Sequence, residues 1–121
     1  MPLFSRNPAP AGLTVTEAHE RVRTGQAVLL DVREADEYGA GHAPGAVWQT
    51  LAAVAAGTPL PEAARGLPVL AVCRSGNRSR KAAELLSARG VHARNVTGGM
   101  RAWAAAGLPV RTGTGHDGQV I

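Results

Sequence analysis

The sequence is short of several things, and each shortage excludes something. It holds one cysteine. It can therefore form no internal disulfide, and it has neither the C-x-x-C pair of dithiol redox chemistry nor the cysteine sets of structural zinc. Aromatic residues make up 3 %, so the core is expected to be aliphatic, built from the Ala, Val and Leu that dominate the 45 % apolar fraction. No apolar run approaches the ~20 residues that span a bilayer. The opening "MPLFSRNPAPAG" has no apolar stretch of signal-peptide length, so a cytoplasmic protein without membrane association is expected. A single lysine accompanies twelve arginines, and the net charge is +4. The basic residues are scattered except around 74–81, and no basic stripe is interleaved with aromatics, which argues against a nucleic-acid partner. A small anion suits the local cluster better.

What is present is a regular alternation. The 121 residues suit one domain. "TVTEAHERVRTGQ" reads as a short amphipathic helix capped at Thr14 or Thr16 and stopped at Gly25. "AVLLDV" (27–32) and "LPVLAVC" (67–73) are continuous apolar runs, as expected of strands buried on both faces. Between them lie a short helix and turn-rich loop in "READEYGAGHAPGA", a strand in "AVWQ" and an alanine-rich helix in "TLAAVAAG". "NRSRKAAELLSARG" places Ala82, Ala83, Leu85 and Leu86 on one helical face. "VHARNV" alternates like a strand with one wet face, "GMRAWAAAG" is another short helix, and "LPVRTG" is a candidate edge strand. The expectation is an α/β domain over 13–112, with tails at 1–12 and 113–121 and a central, mostly parallel sheet of about five strands flanked by helices.

Ligands of such sheets bind outside the carboxyl ends of the strands, and Cys73 stands at one. The stretch "CRSGNRS" joins that strand to a helix. Free N–H groups at the helix start point back at the loop, and the helix dipole adds positive charge there. The N–H groups of Arg74, Ser75, Gly76, Asn77 and Arg78 can form a nest around whatever Cys73 carries. Gly76 allows a backbone turn closed to other residues, and Arg74 and Arg78 add full charges. All of these favour thiolate over thiol. A cysteine at the end of a core strand is otherwise a small buried hydrophobe.

Four segments, in order, resemble those of a single-domain rhodanese, a thiosulfate sulfurtransferase-like protein: "LLDVREADEY", "GHAPGA", "VCRSGNRS" and "NVTGGMRAWAAAGLPV". Together they span about residues 27 to 110. The resemblance implies a three-layer rhodanese-like fold with Cys73 as nucleophile. Cys73 would accept sulfane sulfur from a small anionic donor such as thiosulfate. Its persulfide would pass that sulfur to cyanide, a thiol or a protein acceptor. No metal or organic cofactor is implied, and a monomer or homodimer is expected. Rhodanese-like domains also serve as sulfur relays or as interaction modules on partner proteins. Phosphatases and arsenate reductases of the same fold carry one more loop residue, in the pattern Cys-x5-Arg. Here four residues separate Cys73 from Arg78, and Ser79 holds the position of the phosphatase arginine.

Other candidates have plainer readings. Asp31 and Arg33 end the first buried strand. Asp31 is expected to enter a structural ion pair, whereas Arg33 is open between that pair and the substrate mouth and counts among the substrate-binding candidates. Glu34 and Glu37 are expected to face solvent or the "GHAPGA" loop. His42 would bond that acidic turn, and Trp48 and Trp103 would pack. Arg80 and Lys81 could widen the positive field. His92, at the start of a strand, falls at the end of the sheet opposite Cys73, so a Cys–His hydrolase fits poorly.

Overall fold

The computed structural model describes residues 11–121. The expected N-terminal tail, 1–12, lies outside the described residues apart from Ala11 and Gly12. The order of elements is α1 (Val15–Arg23), β1 (Val28–Asp31), α2 (Ala35–Ala40), β2 (Val47–Trp48), α3 (Leu51–Ala55), a 3-10 turn (Glu62–Ala64), β3 (Val69–Val72), α4 (Asn77–Ala88), β4 (Ala93–Asn95) and α5 (Gly99–Ala105). Helix α1 starts where its capping box dictates. The Glu17 N–H donates to Thr14 Oγ1 at 3.2 Å, and the Thr14 N–H donates to Glu17 Oε1 at 2.9 Å, satisfying two end groups at once.

The strands form one parallel sheet in the order β2-β1-β3-β4. The chain leaves β1 toward β2 on one side, then crosses back to β3 on the other. The crevice outside the carboxyl ends of β1 and β3 is therefore a topological switch point, where open α/β sheets bind ligands. The sheet has four strands, not the expected five or so. "LPVRTG" makes no ladder, because Pro109 has no N–H to give. Only Arg111 pairs, in isolated antiparallel bridges with His42 and Asp117. On the far edge Leu13 makes a single bridge to Val96 beyond β4.

Both central strands are wholly buried, and their alternating side chains feed two cores. Val28, Leu30 and Val32 join Val69, Ala71 and Cys73 under α3 and α4. Leu29, Leu70 and Val72 face Leu13, Ala18, Met100 and Trp103 under α1 and α5. The period of two thus sends Cys73 to the α4 side. Residues 113–121, expected as a tail, lie against the body. The Gln119 N–H donates to the Ala40 carbonyl at 2.9 Å and that of Gly118 to Val110 at 2.9 Å, and Val120 packs on the second core.

Candidate active site

Strand β3 ends at Val72, and Cys73 follows with only 1 % of its surface exposed. The chain turns at Gly76, whose φ of 113° favours glycine, and α4 begins at Asn77. The Gly76 N–H donates to Cys73 Sγ at 3.1 Å, and the Ser79 hydroxyl approaches Sγ at 3.2 Å. Burial pushes the Cys73 thiol pKa up, but the donors around it prevail: the Ser79 hydroxyl first, then the N–H groups of Ser79, Gly76 and Ser75. The net effect is a pKa below the usual thiol value. Hydrogen bonds, not the arginine charges expected from the sequence, are the main causes.

The loop is held from behind by α5. The Met100 N–H donates to the Cys73 carbonyl at 2.7 Å and the Arg101 N–H to the Arg74 carbonyl at 2.9 Å. The carbonyls of the cysteine and its neighbour are thereby turned away from Sγ. This contact needs Gly99, which has φ of 60°; a Cβ there would strike the Cys73 carbonyl oxygen and come within 2.7 Å of the Arg74 carbonyl. Gly99→Ala is expected to cost about 2–4 kcal/mol from the positive φ plus overpacking. It should lower the urea midpoint and raise the Cys73 pKa together.

The two loop arginines differ. Arg74 is exposed, with Nε donating to the Ile121 carbonyl at 2.9 Å. Arg78 turns to α2 and forms a two-pronged pair with Glu37, at 2.7 and 2.8 Å. Glu37, expected to face solvent or the "GHAPGA" loop, is instead the clamp that holds α4 to α2. Arg78 and the Glu34 N–H hold the Glu37 carboxyl at a pKa of about 2 against an ordinary 4.5, although burial opposes them. A depressed carboxylate contributes stability above its unfolded pKa and loses it as pH falls through the folded value. The clamp is therefore complete above about pH 4.5 and lost toward pH 2. Glu37→Gln should destabilise by on the order of 1 kcal/mol near neutrality, since the pair is partly solvated. In urea titrations that difference should vanish as pH approaches 2.

Arg33 is not at the mouth. It is 0 % exposed, with Nε and Nη2 on the Asp31 carboxylate at 2.9 and 2.6 Å and Nη2 also on the Gly41 carbonyl at 2.8 Å. The expected ion pair of Asp31 therefore exists, and Arg33 is the partner that it consumes. Ser75 and Asn77 are exposed on the loop. His42 Nδ1 donates to the Tyr38 carbonyl, 2.8 Å away, and the imidazole stacks on the Tyr38 ring. The His92 carbonyl accepts from the Val69 N–H at the start of β3, the end remote from Cys73. Trp103 is buried, while Trp48 is 40 % exposed at the carboxyl end of β2. Among the described residues no group of three His, Cys, Asp or Glu comes together as a metal site, and no helix is long and apolar enough to cross a membrane.

Sequence reasoning missed Ser79 and Asn95. Ser79 Oγ lies 2.5 Å from Asn95 Oδ1. A signal for Ser79 was present: with Ala82, Ala83 and Leu86 it completes the i, i+3, i+4, i+7 stripe that α4 buries, and a polar residue on such a stripe calls for a partner. The Arg78–Glu37 pair had none, being 41 residues apart.

A family model described as "Rhodanese-like domain" matches residues 14–106. The fold is also similar to solved structures. A rhodanese-related protein from Thermoplasma volcanium is 27 % identical, with a TM-score of 0.74 over 84 % of this chain and 97 % of that one. A rhodanese homolog from Thermus thermophilus is 30 % identical, with a TM-score of 0.62 over 75 % and 98 %. A Rhodopseudomonas palustris protein of unknown function, described as a possible tyrosine phosphatase, shares the fold at 23 % identity, with a TM-score of 0.72 over 92 % and 99 %. The chain belongs to the rhodanese-like domain family.

Proposed function

We propose that this protein is a sulfurtransferase that carries sulfane sulfur on Cys73. The observation that supports it best is the state of the loop. Sγ lies on the floor of a short nest of N–H donors, while Arg78 is spent on Glu37. A phosphatase needs its loop arginine on the substrate's oxygens, whereas a persulfide needs only oriented donors.

In the first step the Cys73 thiolate attacks the outer sulfur of thiosulfate. The new S–S bond forms as the old one breaks, and sulfite leaves with the bonding electron pair. In the second step cyanide, a thiol or a protein thiolate attacks the outer sulfur of the persulfide, and Cys73 departs as thiolate. The donors that hold the resting thiolate also stabilise it as leaving group. Arg74, exposed beside the nest, attracts the anionic donor, and the exposed Ser75 and Asn77 leave the loaded sulfur open to an acceptor. No metal or organic cofactor enters either step.

The test is incubation with thiosulfate, followed by mass measurement and then cyanide. One added sulfur, about 32 Da and removed by reductant, and stoichiometric thiocyanate are expected. Hydrolysis of p-nitrophenyl phosphate without sulfur loading would overturn the reading in favour of a phosphatase.

A further inference from the structure

Ser79 is the most constrained polar group near Cys73. It is 0 % exposed, and its oxygen stands 3.2 Å from Sγ and 2.5 Å from Asn95 Oδ1. A hydroxyl has one proton to donate, so it cannot serve both at once. With Cys73 as a thiol there is no conflict: S–H donates to Ser79, and Ser79 donates to Asn95. Once Sγ has no proton, it needs the Ser79 proton for itself. The Ser79 lone pairs then face the Asn95 carbonyl oxygen at contact distance, which is two acceptors without a donor. Ser79 is buried and Asn95 half-buried, so leaving that conflict in place is costly.

The relief is local. Asn95 ends β4, in register with Ala71 of β3, and it points to the α4 side, as Ala93 does. Its amide has a broad, nearly two-fold torsion. A half-turn replaces Oδ1 with Nδ2, a donor to Ser79 Oγ. Nδ2 makes no hydrogen bond among the described residues and lies beside Gly76, where a Cβ would stand 3.8 Å from it, at ordinary contact distance. The charged groups on the loop and the elements around it are Arg74, facing Ile121, Arg78, paired to Glu37, Arg94, whose Nε donates to the Ala11 carbonyl, and Arg80, Lys81, Glu84 and Arg101. None of them makes a hydrogen bond to Ser79 or Asn95, so no other side chain among the described residues supplies the missing donor.

We propose that Asn95 is a positioning residue for sulfur transfer, whose amide turns over when Sγ is deprotonated or loaded and so directs the Ser79 proton onto Sγ. The loaded state rests on the sulfurtransferase reading; the deprotonated state does not. The experiment follows Cys73 by thiolate ultraviolet absorbance, against a Cys73→Ser blank. In the wild-type protein it also follows the Asn95 side-chain amide by NMR.

The Asn95 amide resonance should move with the same midpoint as Cys73, and should stay still in Ser79→Ala. Asn95→Asp, which has the same shape but accepts only, should raise the Cys73 midpoint by about one pH unit, a tenfold loss of thiolate below it. In the Ser79→Ala background that shift should fall to less than half, the remainder being through-space charge. Equal shifts in both backgrounds, or an amide that ignores Cys73, overturn the proposal. Correct titrations in a protein that makes no thiocyanate would sink the sulfurtransferase reading and leave intact only Asn95's control of the Ser79 proton on deprotonation.

Discussion

Cys73→Ser should abolish thiocyanate formation from thiosulfate and cyanide, by at least about 10³-fold and to the blank rate. The substitution removes one property and little else. Serine is close in size and still accepts from the Gly76 N–H, so the core under α4 should lose little stability. But a hydroxyl does not ionise near neutral pH. The donors that draw the Cys73 thiol pKa down cannot bring an alcohol into range, and oxygen cannot carry sulfane sulfur as a persulfide does. The variant should unfold at nearly the wild-type urea concentration, show no added sulfur by mass after thiosulfate, and turn over nothing. Retained turnover in a folded Cys73→Ser protein would mean that sulfur does not pass through this residue.

Arg33→Met should be the most destabilising single change at the switch point. Arg33 and Asp31 are both 0 % exposed and joined at 2.6 Å. Removing the guanidinium leaves the Asp31 carboxylate buried without its partner, which costs about 3–5 kcal/mol. That is a large share of the ~5–15 kcal/mol by which a domain of this size is stable. The cost comes from the orphaned charge rather than from a strong bond. Asp31→Leu combined with Arg33→Met should therefore recover much of the loss, because apolar replacement of a whole buried pair is often neutral. Urea midpoints of the two variants test this. A single variant as stable as wild type would show that Asp31 finds another partner. The pair also anchors Gly41 through its carbonyl. Its loss should loosen the loop after α2, and with it the Glu37 clamp on Arg78.

The central strands were legible because burial on both faces calls for apolar runs, and "VLL", ahead of Asp31, and "VLAV" are such runs. The first helix was legible because Thr14 and Thr16 stand ahead of an amphipathic stretch that Gly25 stops; the capping box with Glu17 then made Thr14 the cap. The number of strands was not. Whether "LPVRTG" pairs depends on what lies beside it, and its neighbours are His42 and Asp117, from opposite directions in the chain.

The site divides in the same way. Cys73, the short loop and the turn at Gly76 are consecutive residues, so their order alone places a cysteine between a strand and a helix. The fate of each arginine was decided elsewhere. Arg33 was open between pocket and core, and a local partner, Asp31, drew it inward. Arg78 was expected to add charge to the nest, and Glu37 took it. Ser79 and Asn95 meet only because α4 packs over the seam of β3 and β4.

By itself, then, the sequence determined the fold class and the place of Cys73 between a buried strand and a helix, because apolar periodicity, capping and loop length are properties of neighbouring residues. Tertiary structure alone decided which polar groups reach the sulfur and which neutralise one another. Hydrogen bonds and ion pairs act over about 3 Å, and only the folded chain brings residues 37 and 78, or 79 and 95, that close.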